Sequence, residues 1–363
     1  MVTGPVPRPA IRGIGVYVPG KSRVEGALRA VKLSANENAL GTSPKARAAY
    51  LAAADGLFRY PDVRAGALRA AVARKFDIEP ERLIFGVGSD EIFTLACMAY
   101  LDLGDNAVQP EWGFAAWRLA VAAMGAEMRN APERDYVVDV DAILDRIDAR
   151  TKIVFLANPA NPTGSAIPYT EVLRLQRGLP ETALLVLDGA YAEFARAMPG
   201  FDAGLDLARR APNVLMTRTF SKLYGLAGLR VGWAYGPESV IAALDRVRLP
   251  FNMTAPGEAA AIAALEDDDF ARASIAHVDR ERAALEDFLH GLGVRTIPSW
   301  ANFVTLVFDE DARARAIDER LAGRGVLVRG LANYGMANCL RVTTASAEDM
   351  AAFRAEFELT LAG

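Results

Sequence analysis

Short apolar runs alternate with stretches of helical periodicity between residues 83 and 247. Leu83–Phe85, for example, precedes a helical pattern over Ser89–Leu101, and the next run precedes one over Trp112–Met124. Because strands that alternate with helices form βαβ units, the pattern predicts an α/β fold with a mostly parallel sheet and helices on both faces. Further runs of this kind lie at Ala107–Gln109, Lys152–Leu156, Leu184–Leu187, Asn213–Met216 and Leu229–Ala234.

The alternation ends between Leu249-Pro250 and Pro256-Gly257, where prolines and glycines interrupt the pattern. We therefore predict a large domain over residues 36–254 and a smaller α+β domain over residues 255–363. Residues 1–35 are predicted to form an N-terminal arm and part of the smaller domain. The predicted elements after the break are strands at Val294–Ile297, Phe303–Val307, Val326–Val328 and Leu340–Val342, a helix at Ala312–Ala322 and a final helix capped by Ser346.

Composition narrows the class of protein. The 363 residues are 52% hydrophobic and sum to a net charge of −4, which argues against disorder and against nucleic acid or an anionic membrane as the main partner. No apolar run approaches the length of a membrane span, and the first residues lack a secretory signal core. Cys97 and Cys339 indicate reduced thiols in the cytoplasm, and the spacing of His277 and His290 indicates no metal site.

Polar clusters follow four of the predicted strands, at the edge where ligands bind in doubly wound sheets. The clusters are Gly86–Asp90, Asn158–Gly164, Asp188–Tyr191 and Thr219–Lys222. Each has an ordinary alternative: a capped strand-to-helix turn, a turn former at Asn161, a helix cap at Asp188 and a solvated Lys222. Taken in order, however, the clusters supply a donor to a ring oxygen, an acid for a ring nitrogen, an amine and a phosphate clamp that includes Arg230. This set predicts a pocket for pyridoxal phosphate.

On these residues the chain resembles the fold type I pyridoxal-phosphate aminotransferases, and most closely their histidinol-phosphate aminotransferase branch. The lysine segment Arg218–Arg230 is the most specific match. The others span nearly the whole chain in the family's order: Tyr17–Gly20, Ser34–Asn38 with Leu40-Gly41, Tyr60–Asp62, Gly88–Glu91, Asn158–Gly164, Asp188–Tyr191 and Leu340–Thr343.

The resemblance implies a role for each matching residue. Lys222 would bind the cofactor covalently and move protons, Asp188 would keep the ring nitrogen protonated, and Trp112 would stack on the ring. Other implied contacts are the following: Asn161 and Tyr191 at the ring oxygen; Ser89, Asp90, Thr219, Ser221 and Arg230 at the phosphate; Tyr60 from the second subunit of a homodimer; and Tyr17, Asn161, Arg329 and Arg341 at the substrate.

The reaction implied is transamination between L-histidinol phosphate and 2-oxoglutarate in histidine biosynthesis. Alternatives on the same scaffold are an aromatic amino acid or prephenate aminotransferase and, more remotely, a decarboxylase of a phosphorylated amino acid. A non-catalytic binding module is disfavoured by the intact Lys222 and Asp188, and no dinucleotide fingerprint supports an oxidoreductase. The chain departs from the family's usual pattern at Gly189, where an acid is common, at Trp112, and at Thr344–Ser346, where a glycine turn is usual.

Overall fold

The strands and helices that the pattern predicts occur in the predicted order, together with further elements that it did not predict. The computed structural model describes residues 4–16 and 30–362. The strands are β1 (Val31–Lys32), β2 (Leu83–Gly86), β3 (Asn106–Pro110), β4 (Glu127–Ala131), β5 (Thr151–Ala157), β6 (Leu184–Asp188), β7 (Val214–Thr219), β8 (Gly232–Tyr235), β9 (Arg295–Ile297), β10 (Phe303–Val307), β11 (Val326–Leu327), β12 (Arg329–Leu331) and β13 (Met336–Thr343). The helices are α1 (Pro9–Arg12), α2 (Pro44–Ala52), α3 (Gly66–Phe76), α4 (Ser89–Tyr100), α5 (Ala115–Met124), α6 (Val140–Leu144), α7 (Tyr169–Gly178), α8 (Leu205–Arg210), α9 (Glu238–Val247), α10 (Ala255–Leu265), α11 (Asp268–Gly291), α12 (Asp311–Gly323) and α13 (Ala347–Ala362).

The larger sheet is mostly parallel, as predicted. Within the described residues it has seven strands in the order β2-β8-β7-β6-β5-β3-β4, and β8 runs antiparallel to both of its neighbours. All five side chains of β6 are buried, and its first four are leucine or valine. Such continuous apolar runs are typical of strands that are covered on both faces.

Helices cover the two faces of this sheet, and β5 shows how one strand serves both. Ile153 and Phe155 point into a core that also holds residues of α4, α5 and α9. Val154 and Leu156 point the other way, into a core that contains residues of α3, α7, α8 and α10. This alternation follows from the period of two along a strand. The prediction of an α/β fold with helices on both faces is confirmed.

A second, antiparallel sheet follows the predicted break. Within the described chain its order is β12-β13-β10-β9, and β1 pairs separately with β11. Helices α11, α12 and α13 pack around this part, whereas α10 packs against α2 and α3. The division into residues 1–35, 36–254 and 255–363 stays a prediction. Across residues 4–16 and 30–362, every helix is too short or too polar to cross a bilayer.

The start of one predicted helix, and the helix implied by the alternative role of Asp188 as a cap, differ from the structure. α5 begins at Ala115 rather than at Trp112, because the Trp112 N–H donates to Glu133 Oε1 at 3.2 Å and Phe114 has extended backbone. The stretch after Asp188 forms only a short 3₁₀ turn over Ala192–Ala195. The predicted cap of α13 is confirmed, since Ser346 Oγ accepts from the Asp349 N–H at 3.1 Å.

Candidate active site

The four polar clusters meet around one cavity of about 250 Å³ at the carboxyl edge of the parallel strands. This edge is where a doubly wound sheet binds its ligands. The predicted residues that line the cavity are Ser89, Asp90, Asn161, Asp188, Tyr191, Thr219, Ser221, Lys222 and Arg230. The structure adds Ala35, Glu37, Phe114, Ala190 and Ala227 to the lining.

Lys222 extends from the loop after β7 and is deeply buried. Its Nζ donates to the Ala35 carbonyl at 3.3 Å and lies 5.8 Å from the centre of the Tyr191 ring. Burial, followed by the positive charge of Arg341, lowers the pKa of Lys222 to about 8. The neutral amine, which is the form that attacks a carbonyl carbon, is therefore more populated near physiological pH than in an ordinary lysine.

Asp188 ends β6 and is 6% exposed. Its Oδ1 accepts from the Ala190 N–H at 3.1 Å and from the Thr217 hydroxyl at 3.2 Å. Burial outweighs these two bonds and raises the pKa of Asp188 to about 6. A buried carboxylate is costly unless a cation or a donor meets it, so this position suits a positively charged ligand group.

An anion cradle forms where the N-terminus of α4 approaches Arg230. Gly88 has φ +81°, and a Cβ on it would lie 2.3 Å from Arg230 Nη2. The same guanidinium donates to Ser221 Oγ at 3.1 Å and pairs with Asp90 Oδ2 at 2.9 Å. Together with the free N–H groups of a helix start, these donors suit a phosphate.

Asn161 and Tyr191 line the cavity, and each is bonded to a residue outside the lining. Arg341 donates to Asn161 Oδ1, which leaves the Asn161 amide N–H₂ as the group that can donate elsewhere. The Tyr191 hydroxyl accepts from Asn36 Nδ2 at 2.9 Å, and burial raises the pKa of Tyr191 above its usual range. Both residues can therefore present neutral donors to an oxygen in the cavity.

Other predicted site residues lie outside the lining. The Trp112 ring packs on Tyr136 with centroids 4.7 Å apart, and Phe114 from the same loop faces the cavity. Tyr60 is 83% exposed. Tyr17 lies outside the described residues. The implied roles of Trp112, Tyr60 and Tyr17 stay predictions.

The two predicted substrate arginines lie side by side on the second sheet. Arg329 of β12 is opposite Arg341 of β13 in the antiparallel register, and both are buried. Besides its bond to Asn161, Arg341 donates to the Ser34 carbonyl at 3.1 Å. Neither arginine lines the cavity itself, although the charge of Arg341 acts on Lys222. Their roles at the substrate stay predictions.

The segment Ser34–Asn38 forms a wall of the cavity through Ala35 and Glu37. The segment is part of the resemblance to the family, but the resemblance implied no role for it. Asn36 bonds to Tyr191, and Asn38 Nδ2 donates to the Leu223 carbonyl at 2.6 Å. The available signal was a pair of asparagines in a short polar stretch, and asparagine tolerates the left-handed conformation that Asn36 adopts at φ +55°.

A buried ion pair joins the two segments that carry the acid and the amine. Arg218 precedes Thr219 and donates to Glu193 Oε1 at 2.8 Å, and the Arg218 side chain is 9% exposed. The Nε of Arg218 has no hydrogen-bond partner in the described structure and lies 3.0 Å from where a Cβ on Gly189 would stand. Because Gly189 carries no carboxylate, Glu193 is the acid that neutralises Arg218.

Comparisons with known proteins agree on one family. A sequence model described as aminotransferase class I and II matches residues 29–355. Histidinol-phosphate aminotransferase 1 of Caulobacter vibrioides is 51% identical over 93% of this chain and 94% of that protein, and the Sphingopyxis alaskensis histidinol-phosphate aminotransferase is 46% identical over 98% of each. The crystal structure of histidinol-phosphate aminotransferase from Sinorhizobium meliloti in complex with pyridoxal-5'-phosphate superposes with a TM-score of 0.89, at 30% identity over 98% of this chain and 97% of that one.

Proposed function

This chain belongs to the aminotransferase class I and II family, and from that membership we propose that it transfers the amino group of L-histidinol phosphate to 2-oxoglutarate. The products would be imidazole acetol phosphate and glutamate, in the biosynthesis of histidine. The names of relatives at 51% and 46% identity support this substrate. One observation carries the reaction type: Lys222 and Asp188 line a single cavity together with an anion cradle.

The proposed cofactor is pyridoxal 5'-phosphate, and the residues present fit it. The absent Cβ of Gly88 makes room for Arg230 beside the start of α4, where the cofactor phosphate would be held. Asp188 would face the ring nitrogen, and Asn161 and Tyr191 would donate to the ring oxygen. When bound, the cofactor supplies an aldehyde for the amino group and a cationic ring that accepts electrons from the substrate Cα.

Lys222 is the proposed acid and base. Its lowered pKa gives a neutral Nζ that can bond to the cofactor and, once displaced by the donor's amine, take the proton from the substrate Cα. The same Nζ would then carry that proton and could deliver it to the cofactor carbon that supplies the aldehyde. Burial keeps water from competing for these protons.

Arg341 and Arg329 are proposed to receive the anionic groups of the two substrates. Both are buried at paired positions of β12 and β13, and guanidinium groups supply the charge that a carboxylate or a phosphate monoester needs. The bond between Arg341 and Asn161 would couple substrate binding to the contact at the ring oxygen.

We propose a homodimer in which Tyr60 reaches the cavity of the partner subunit. Tyr60 is 83% exposed in a single chain, and its ring lies 4.7 Å from that of Phe251. Phe58, Leu57 and Leu249 beside these two in sequence are also at least two-thirds exposed. Large apolar side chains clustered in this way are typical of a surface that another chain covers.

The proposed cellular location is the cytoplasm. Cys97 and Cys339 are buried free thiols, and burial raises the pKa of Cys97 to about 12. Neither thiol depends on a disulfide for its place in the fold, which suits a reducing compartment.

Kinetics with alternative donors test the proposal. The purified protein should be yellow, borohydride should fix the chromophore on Lys222, and kcat/KM for histidinol phosphate should exceed that for phenylalanine, tyrosine and arogenate. Lys222→Ala should remove both the covalent attachment and the reaction. A preference for an aromatic donor, or release of carbon dioxide without a 2-oxo acid, would replace the proposed substrate with one of the alternatives.

A further inference from the structure

Glu37 is a residue of the cavity wall, and the reaction outlined above assigns no role to its carboxylate. It lines the cavity two residues after Ala35, whose carbonyl accepts from the Lys222 amine. Two residues span at most about 7 Å of chain, so Glu37 lies close to the reacting amine. Its negative charge is also felt by Lys222.

The neighbours of Glu37 hold its backbone in place, whereas its side chain is half-exposed. Asn36 on one side bonds to Tyr191, and Asn38 on the other bonds to the Leu223 carbonyl. The side chain of Glu37, in contrast, is 48% exposed, and its carboxylate contacts Lys32 Nζ at 2.8 Å; the Lys32 side chain is 36% exposed. An exposed pair of this kind contributes little to stability, so the carboxylate can exchange Lys32 for a ligand at small cost.

The other two acids of the described lining, Asp90 and Asp188, are already bonded to neighbouring residues. Asp90 pairs with Arg230 in the anion cradle, and Asp188 is buried at the end of β6 with bonds from Ala190 and Thr217. Glu37 is thus the lining carboxylate that a substrate can engage without displacing a contact of the proposed cofactor site.

We propose that Glu37 selects the amino donor by accepting a hydrogen bond from a ring N–H of its imidazole side chain, an inference that rests on the proposed function. The imidazole of histidinol phosphate lies one carbon from the carbon that bears the amino group, which suits the short distance between Glu37 and Lys222. A donor with a hydrocarbon ring offers no N–H, so it would leave the Glu37–Lys32 pair in place and gain no bond to Glu37. The preference for imidazole would therefore equal the net contribution of one hydrogen bond to a charged group, about ten- to hundredfold in kcat/KM.

The test compares two donors on holoenzyme variants, with 2-oxoglutarate as acceptor. Glu37→Gln keeps the shape and removes the charge, and Lys32→Ala is the matched control because it removes the present partner of Glu37 without altering the cavity lining. In Glu37→Gln the ratio of kcat/KM for histidinol phosphate to kcat/KM for phenylalanine should fall about ten- to hundredfold. The fall should come from a lower kcat/KM for histidinol phosphate, with the value for phenylalanine unchanged. The apparent Kd of histidinol phosphate for Glu37→Gln, measured from cofactor absorbance without a 2-oxo acid, should also rise. Lys32→Ala should keep the wild-type ratio of kcat/KM values.

Three results would overturn the inference. Glu37→Gln could lower kcat/KM equally for both donors, which would make Glu37 a general electrostatic neighbour of the amine. It could leave histidinol phosphate unaffected. Lys32→Ala could reproduce the loss, which would mean that the carboxylate acts only through Lys32. The proposed function itself is tested by the wild-type enzyme alone. A higher kcat/KM for phenylalanine than for histidinol phosphate would refute it, whatever the Glu37 variant shows.

Discussion

Replacing Asp188 with asparagine should stabilise the cofactor-free protein and disable the loaded enzyme. Burial raises the pKa of Asp188 from its ordinary value of 3.8 to about 6, so the folded chain holds this proton more tightly than the unfolded chain does. The fold therefore loses stability as the pH rises from about 4 through 6, by about 3 kcal/mol once the carboxylate is fully ionised. Asparagine retains an oxygen that can accept from Ala190 and Thr217 and carries no charge.

The apoprotein of Asp188→Asn should consequently be more stable than the wild-type apoprotein at pH 8 by up to about 3 kcal/mol, with the difference vanishing near pH 4. Urea unfolding at the two pH values measures this. Asp269→Asn is the matched control, since that carboxylate is 88% exposed and its removal should show no such pH dependence. In the loaded enzyme the lost counter-charge should lower kcat/KM by about 10²- to 10³-fold. An equal stability difference at both pH values, or a less stable variant at pH 8, would refute the reasoning.

Three further experiments probe the anion cradle, the buried ion pair and the proposed subunit contact. Gly88→Ala should weaken cofactor binding, measured by fluorescence titration, because its Cβ would collide with the Arg230 guanidinium that we propose holds the phosphate; Gly228→Ala has open space and should bind normally. Glu193→Gln leaves a buried guanidinium without its carboxylate and should cost about 3–5 kcal/mol in urea unfolding; a change below 1 kcal/mol would contradict this. Tyr60→Ala and Lys222→Ala subunits are each expected to be nearly inactive alone, and activity should return on mixing them, because one site of the mixed dimer then has both residues; no recovery would place Tyr60 in its own subunit's site.

The sheet and the centre of the site were predictable because they depend on local rules. An apolar run that ends in a polar residue marks a strand end, and strand ends of a parallel sheet share one edge. This is why Asp188 and Lys222, 34 residues apart in the chain, could be expected in one cavity. The lowered pKa of Lys222 follows from the same placement, since burial and neighbouring arginines act in one direction.

Contacts between distant segments could not be predicted in this way. No local pattern indicates that Arg341 donates to Asn161, 180 residues earlier, or that Asn36 reaches Tyr191. The start of α5 was wrong because the helical periodicity continues through Trp112, while the bond from Trp112 to Glu133 depends on a separate loop. For the same reason Phe114 rather than Trp112 faces the cavity.

The Ser34–Asn38 wall also ties the two sheets to each other. Asn36 donates its N–H to Thr343 Oγ1 of β13 at 2.9 Å and its side-chain amide to Tyr191 beside the larger sheet, and its carbonyl accepts from Asn302 at 3.1 Å. Anyone grafting the C-terminal portion of a relative onto this chain would therefore have to transplant these five residues together with it. A chimera in which these residues and their partners on the two sheets come from different proteins would lose contacts directly beside the Lys222 amine.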